Sequence, residues 1–185
     1  MRQLTEEETK VCFQKLAHYT GSSLSQLVAP TEDPNERFVF RIHGSRVYYV
    51  SERNMRLATS IPRDNLLSLG TCIGKFTKTG KFRIQLTALD VIAPHARYKV
   101  WIKQNGLMPY LYGGNVVKGH VGRWSEDCPE HAGVIVMDMN DIPLGFGVTA
   151  RSSAESRKLD PTAICVFRQT DLGEYLREED TLFTT

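Results

Sequence analysis

The most constraining stretch of the chain is the segment from Leu69 to Ala88. Phe82, Ile84, Leu86 and Ala88 alternate with Lys81, Arg83, Gln85 and Thr87 behind the turn Lys78-Thr79-Gly80, and Leu69 to Thr77 supply the preceding strand. One face of this hairpin is apolar and the other basic and polar, so it must belong to an antiparallel sheet that buries one side only. A second hairpin precedes it. Phe38, Phe40 and Ile42 alternate with Val39, Arg41 and His43, and Val47-Tyr48-Tyr49-Val50 resumes after a short His-Gly-Ser stretch.

Helices flank these strands. Thr5 and Glu8 form a T-x-x-E capping box, and Val11, Cys12, Leu16 and Tyr19 follow at helical spacing as far as Gly21, a good stop. Ser23, with Gln26 three residues on, starts a short second helix carrying Leu24, Leu27 and Val28, before the polar loop Pro30 to Glu36. Ser51 caps a third, with Val50 and Met55 placed as a hydrophobic staple.

At Ala93-Pro94-His95 the pattern changes. Short strands follow at Tyr98 to Lys103, Gly133 to Asp138, Leu144 to Ala150 and Ala163 to Arg168, separated by turns such as Asn105-Gly106, Asp141-Ile142-Pro143 and Asp160-Pro161. That punctuation suits a small barrel or sandwich. A last helix, capped by Asp171 with Glu174 behind it, runs into an acidic end. The expected class is therefore α+β in two domains: residues 1–94 form an N-terminal α/β domain with antiparallel hairpins, and residues 95–185 a small β-barrel with a C-terminal helix and acidic tail.

Composition narrows the class of function. With 185 residues, 41% hydrophobic and 24% charged, the chain has the make-up of an ordinary globular protein. No stretch approaches the ~18 uncharged apolar residues of a membrane span, and the N-terminus lacks an apolar signal segment, so a soluble intracellular protein is expected. Four scattered cysteines, without a C-x-x-C pair, fit a reducing compartment and no disulfide framework. The net charge of +2 conceals an asymmetry: residues 1–170 hold 22 Lys+Arg against 16 Asp+Glu, whereas residues 171–185 hold one Arg against five acids.

Catalytic and metal chemistry find little support. Gly70-Thr71-Cys72-Ile73-Gly74-Lys75 imitates a phosphate-binding loop, but that loop needs four residues between its glycines and a Ser or Thr after the lysine; three residues and Phe76 stand there instead. Cys128 and His131 have C-x-x-H spacing without the remaining ligands of a zinc site, and His18, His43, His95 and His120 are isolated. No metal, no cofactor and no enzymatic activity are expected.

The informative residues are basic. Lys75, Lys78, Lys81 and Arg83 share a hairpin with Phe76 and Phe82 and with no acid. Such lysines commonly blunt the edge of a sheet; clustered among small residues they also suit a phosphate backbone. A second group, Arg151, Arg157 and Lys158, follows a strand in a Ser-rich turn whose hydroxyls and cations are both suited to phosphates. Lys118 lies in another Gly-rich turn.

Tyr110-Leu111-Tyr112-Gly113-Gly114-Asn115-Val116-Val117-Lys118-Gly119-His120-Val121-Gly122, then Gly133-Val134-Ile135-Val136 and Ile142-Pro143-Leu144-Gly145-Phe146-Gly147-Val148, resemble a PUA domain, a small RNA-binding β-barrel. With the N-terminal Met-Arg-Gln-Leu-Thr-Glu-Glu-Glu-Thr, the Ser68 to Arg83 hairpin and the C-terminal Asp171 to Arg177, the whole chain is similar to the Nip-seven type of large-subunit ribosome biogenesis protein. The resemblance implies a non-catalytic, monomeric RNA-binding assembly factor of the nucleus and nucleolus. It would work on precursor ribosomal RNA in pre-60S particles, alongside other assembly factors and the RNA exosome, away from membranes. It carries the RNA contact to Lys118, Arg151, Arg157 and Lys158, while Ser152, Ser153, Ala154 and Glu155 interrupt a basic stretch that is denser in archaeal relatives. Lys75, Lys78 and Lys81 remain the rival surface, and a protein-interaction adaptor with incidental RNA contact remains the rival function.

Overall fold

The computed structural model describes residues 1–29, 37–62, 65–66 and 68–178. The expected loop Pro30 to Glu36 and the acidic end beyond Glu178 lie outside these residues. The chain divides into two compact units: Met1–Ala17 with Ser22–Ala88, and His18–Gly21 with the chain from Leu89 onward.

In the first unit, helix α1 (Glu6–Thr20) starts as its capping box dictates. The Thr5 hydroxyl accepts from the Glu8 amide at 3.2 Å, and the Glu8 carboxylate accepts from the Thr5 amide at 2.8 Å. Arg2 adds a two-pronged ion pair to the same carboxylate at 2.7 and 2.8 Å. The short helix α2 (Leu24–Val28) lacks the expected side-chain cap from Ser23, because a 3-10 turn over Gly21–Ser23 leads into it. Ser51 does cap α3 (Glu52–Ala58), accepting from the Asn54 amide.

Strands β1 (Phe38–His43), β2 (Arg46–Ser51), β3 (Thr71–Phe76) and β4 (Phe82–Ile84) form an antiparallel sheet in that order. One face is aromatic: Phe38 and Phe40 pack on Tyr49, with ring centroids 4.9 Å apart in each pair, and Phe13 of α1 meets Phe40 edge-on at 5.3 Å. β4 is shorter than the alternation to Ala88 suggests, since Leu86–Ala88 wind into a buried 3-10 turn and the Thr87 hydroxyl bonds to the Cys72 carbonyl. Gly80 closes the β3–β4 hairpin at φ +74°, where L side chains are strained. The false phosphate loop is simply the start of β3.

In the second unit, the short helix α4 (Leu89–Ile92) precedes strand β5 (Lys99–Ile102). A helix, α5 (Gln104–Leu111), then occupies the place where Asn105-Gly106 suggested a turn. Strands β6 (Val116–Val117), β7 (Val121–Trp124), β8 (Gly133–Met137), β9 (Pro143–Thr149) and β10 (Ile164–Asp171) complete a sheet ordered β6-β10-β9-β8-β5-β7, with β5 and β8 parallel and the other neighbours antiparallel. The edge strands β6 and β7 are separated by only Lys118–His120, so the sheet must curl until its edges nearly meet. The interior contains Val100, Ile102, Tyr110, Val134, Val136 and Val166, all close to fully buried. All five residues of β8 are buried, as a strand covered on both faces requires.

The final helix is not capped as expected. Asp171 ends β10 and is fully buried; it accepts from the Gly173 amide and forms ion pairs with Arg168 at 2.9 Å and Arg177 at 2.8 Å, while α7 (Glu174–Arg177) begins after Gly173. Helix α6 (Ser153–Ser156) occupies a single turn between β9 and β10.

Candidate nucleic-acid interface

The seam of the second unit's sheet is built by backbone pairing across it. Lys118 and Gly119 donate to the carbonyls of Ala163 and Pro161 ahead of β10, and Lys103 donates to His120. Gly106 permits close approach of α5, because a Cβ there would stand 2.6 Å from that of His120. These bonds fix the turn between β6 and β7 and leave beside it a cleft of about 490 Å³, lined by Lys103, Lys118, Arg123, Trp124, Ser156 and Arg157 among others.

Four of the lining side chains are cationic and none is acidic. Lys118 is half-buried, and its ammonium donates to the Leu159 carbonyl, which holds its charge at the floor. Lys103 and Arg157 are exposed, and neither has a carboxylate within ion-pair distance among the described residues. Arg123 is more constrained: its guanidinium lies 4.0 Å from the Trp101 ring and 3.1 Å from Asp141, whose carboxylate also accepts from the Trp101 indole. Trp124 packs its inner part on the core and lines the cleft with the rest. The arrangement offers positive charge for phosphates and one aromatic surface for a base.

The structure brings only Lys118 and Arg157 of the expected positions together here. Arg151 is exposed elsewhere and bound to Glu130 at 3.0 Å; Lys158 is exposed outside the lining. Ser152 and Ser153, in the turn expected to face phosphate, have structural duties instead. Ser152 caps α6 by accepting from the Glu155 amide, Ser153 ties that turn to Cys128, and the Ser156 hydroxyl is buried beside Cys165. The residues interrupting the basic stretch therefore build the turn that presents Arg157.

Lys75, Lys78 and Lys81 belong to the first unit. Lys75 sits half-buried within β3, whereas Lys78 and Lys81 are exposed in the hairpin turn, where Thr77 donates to the Lys81 carbonyl. Lys103, Arg123 and Trp124 escaped the sequence reading because they come from separate segments that only the order of the sheet unites. The C-x-x-H pair also dissolves: Cys128 is buried, which pushes its thiol up to about 11, while His131 is exposed beside Glu130. Burial likewise pushes the Cys12 thiol up to about 12. Among the described residues no three His, Cys, Asp or Glu side chains cluster as metal ligands.

Two family models match the chain: a NIP7/UPF0113 pre-PUA domain over residues 1–86 and a UPF0113 PUA domain over residues 98–180. A PUA-domain structure from Aeropyrum pernix K1 has the same fold at TM-score 0.61 and 14% identity, covering 96% of this chain and 89% of that one. A conserved PUA-domain protein from Thermoplasma acidophilum aligns at TM-score 0.59 and 11% identity, over 99% of both chains. Fold and domain models thus define a two-part protein with a pre-PUA region and a C-terminal PUA barrel.

The relatives are more specific. The chain is 63% identical to the 60S ribosome subunit biogenesis protein NIP7 of Saccharomyces cerevisiae over 100% of both, and 60% identical to the protein of the same name in Schizosaccharomyces pombe, over 99% of this chain and 100% of that one. A homologue in Xenopus tropicalis is 56% identical over 98% of this chain. The chain belongs to the NIP7 family of 60S ribosome subunit biogenesis proteins.

Proposed function

We propose that the protein is a non-catalytic RNA-binding factor of large-subunit assembly, acting on precursor ribosomal RNA in the nucleolus within pre-60S particles and beside other assembly factors. The observation that carries this reading is the seam cleft, where Lys103, Lys118, Arg123 and Arg157 converge beside Trp124 without a lining carboxylate. Cations at the mouth steer and hold phosphates, and the indole accepts a base without demanding its identity. The relatives' names supply the particle; the cleft supplies a way of holding its RNA.

The test is RNA affinity of the full chain, followed by fluorescence anisotropy with a short single-stranded oligonucleotide. Replacing Lys103, Lys118 and Arg157 with glutamine should weaken binding roughly ten- to a hundredfold, and should flatten the log-log dependence on salt by about 2, since each phosphate neutralised on a single strand contributes about 0.7. Unchanged affinity with loss of co-sedimentation in pre-60S fractions would instead establish the adaptor reading, which is favoured by one feature: Met139 and Ile142, at the tip between β8 and β9, are each 53% exposed.

A further inference from the structure

The way the chain enters the first unit leaves one edge of its sheet open. Strand β1 is an outer strand, and its free side meets a single antiparallel bridge: Arg2 and Ile42 exchange both backbone hydrogen bonds, each at 2.9 Å. The capping box at Thr5 then turns the chain into α1, so this pairing ends after one residue pair. Because outward groups recur at every second residue of an antiparallel strand, the N–H and C=O of Phe40 and Phe38 point the same way as those of Ile42. The Arg41 guanidinium confirms the direction by donating to the Phe40 carbonyl at 2.9 Å. Among the described residues no strand pairs with these positions.

A groove of about 220 Å³ runs beside this edge. Phe38 and Phe40 from one face of β1 and Val39 and Arg41 from the other all line it, which places it along the edge and not over either face. Leu4, Phe13 and Val28 complete an apolar lining, and Phe38 is 43% exposed. Arg37 and Arg41 are its charged members; no acid lines it, and neither arginine has a carboxylate within ion-pair distance among the described residues. Sheets commonly guard an open edge with a proline or a bulge. Strand β1 has neither, since its six residues pair with β2 in unbroken register.

We propose that the β1 edge is a docking site for an extended, acidic segment of a partner protein, which adds a strand beside Phe38 to Phe40. The proposal rests on the reading of the protein as a factor that works beside other assembly factors, but on none of the cleft residues. A polypeptide backbone returns both the acceptors and the donors that a sheet edge requires, whereas an RNA backbone carries no N–H. Side chains set opposite Phe38 and Phe40 fall on the aromatic face and should be apolar; those flanking them meet Arg37 and Arg41 and should be acidic. Past Phe40 the segment must turn outward, because Arg2 holds the place beside Ile42. A second copy of this chain suits the edge poorly: the symmetric register that sets Phe38 of each copy opposite Phe40 of the other also sets Arg37 opposite Arg41, like charge against like.

The experiment titrates the full chain with the labelled peptide Gly-Asp-Glu-Ile-Thr-Val-Glu-Asp-Gly, followed by anisotropy and by amide hydrogen exchange. Saturable binding that slows exchange at the Phe38 and Phe40 amides is the expected result. Phe38→Pro removes an outward N–H at the first residue of an edge strand, a position that tolerates proline. It should bind about three- to tenfold more weakly than Phe38→Ala, which loses the ring but keeps the N–H. The same peptide N-methylated at Ile and Val should lose binding to the unaltered chain, and this arm holds even if Phe38→Pro folds poorly. Arg37→Glu with Arg41→Glu should weaken binding about tenfold and regain it with a peptide whose acids are replaced by lysines. The cleft variant should bind the peptide as the unaltered chain does. No binding up to about 1 mM, or binding indifferent to N-methylation, overturns the proposal and leaves the salt dependence of the cleft as it was. Protection of the same two amides by oligo(U), or by self-association without peptide, overturns it in favour of RNA or of a second copy.

Discussion

Arg123, Arg151, Arg168 and Arg177 of the second unit each have a carboxylate within 3.1 Å. In the first unit, Lys75 of β3 stands opposite Arg83 of β4, and neither has a carboxylate within ion-pair distance among the described residues. Counting basic residues therefore misjudges both regions. Around Asp171 the arginines are internal scaffolding that closes the barrel's last strand on its final helix; in the seam, Lys103 and Arg157 face solvent with no carboxylate within ion-pair distance among the described residues.

The largest test of this contrast is removal of Asp171. Its carboxylate is fully buried between Arg168 and Arg177, and Arg168 also holds Glu174 at 2.7 Å. Asp171→Ala should destabilise the protein by about 3–5 kcal/mol, because it takes the carboxylate from two partly buried guanidinium groups and leaves Arg168 with Glu174 alone. By contrast, Arg83→Gln, at an exposed position of β4, should stay within about 0.5 kcal/mol. Urea denaturation monitored by tryptophan fluorescence, which reports the second unit through Trp101 and Trp124, measures the first. Equal, small effects would erase the distinction between scaffolding and surface cations.

The same contrast explains what was legible in the sequence. The capping box at Thr5 and Glu8, the two N-terminal hairpins and the buried strand at Val134 to Val136 depend on residues close in sequence, so their pattern shows directly. Helix α5 did not, because Asn105-Gly106 read as a turn, whereas Gly106 is needed for contact with His120 and the helix runs on through Pro109. Asp171 looked like a helix cap because Glu174 follows at the right spacing; its arginine partners become visible only when β10 and α7 are in place. The candidate site was legible only in part, as Lys118 and Arg157. Its other members come from β7 and from Lys103, the residue after β5, which only the order of the sheet brings together.

An intermediate effect is expected at Glu8, the first unit's counterpart to Asp171 but at its surface. Hydrogen bonding from Arg2, and then from the Thr5 amide, holds this carboxyl at about 2, below its ordinary 4.5. A depressed folded-state value means that the group stabilises the protein above pH 4.5 and that this contribution is lost as pH falls toward 2. Glu8→Gln should cost about 1 kcal/mol at neutral pH, in the range of a lost cap, and should flatten the stability profile between those two values. Thermal melts of both proteins across that range check the sign: a variant whose loss is the same at pH 2 and pH 7 would show that the ion pair contributes nothing.

The smallest expected effect falls on Arg151, which the family resemblance places at the RNA surface and the geometry does not bring to the cleft. Its guanidinium meets Glu130 with both side chains well exposed, at 58% and 37%. Such a pair contributes roughly 0–1 kcal/mol, so Arg151→Gln should shift the melting temperature very little. Its effect on RNA should be equally slight, since a cation already matched by a carboxylate releases few counterions from a phosphate. Arg157→Gln, six residues on and without such a partner, should remove about 0.7 from the salt slope. Measured side by side by anisotropy, the two substitutions separate position in sequence from position on the surface. If Arg151→Gln proves the more damaging, RNA binding must break the Glu130 pair, and the interface extends from the seam across the β9–α6 turn.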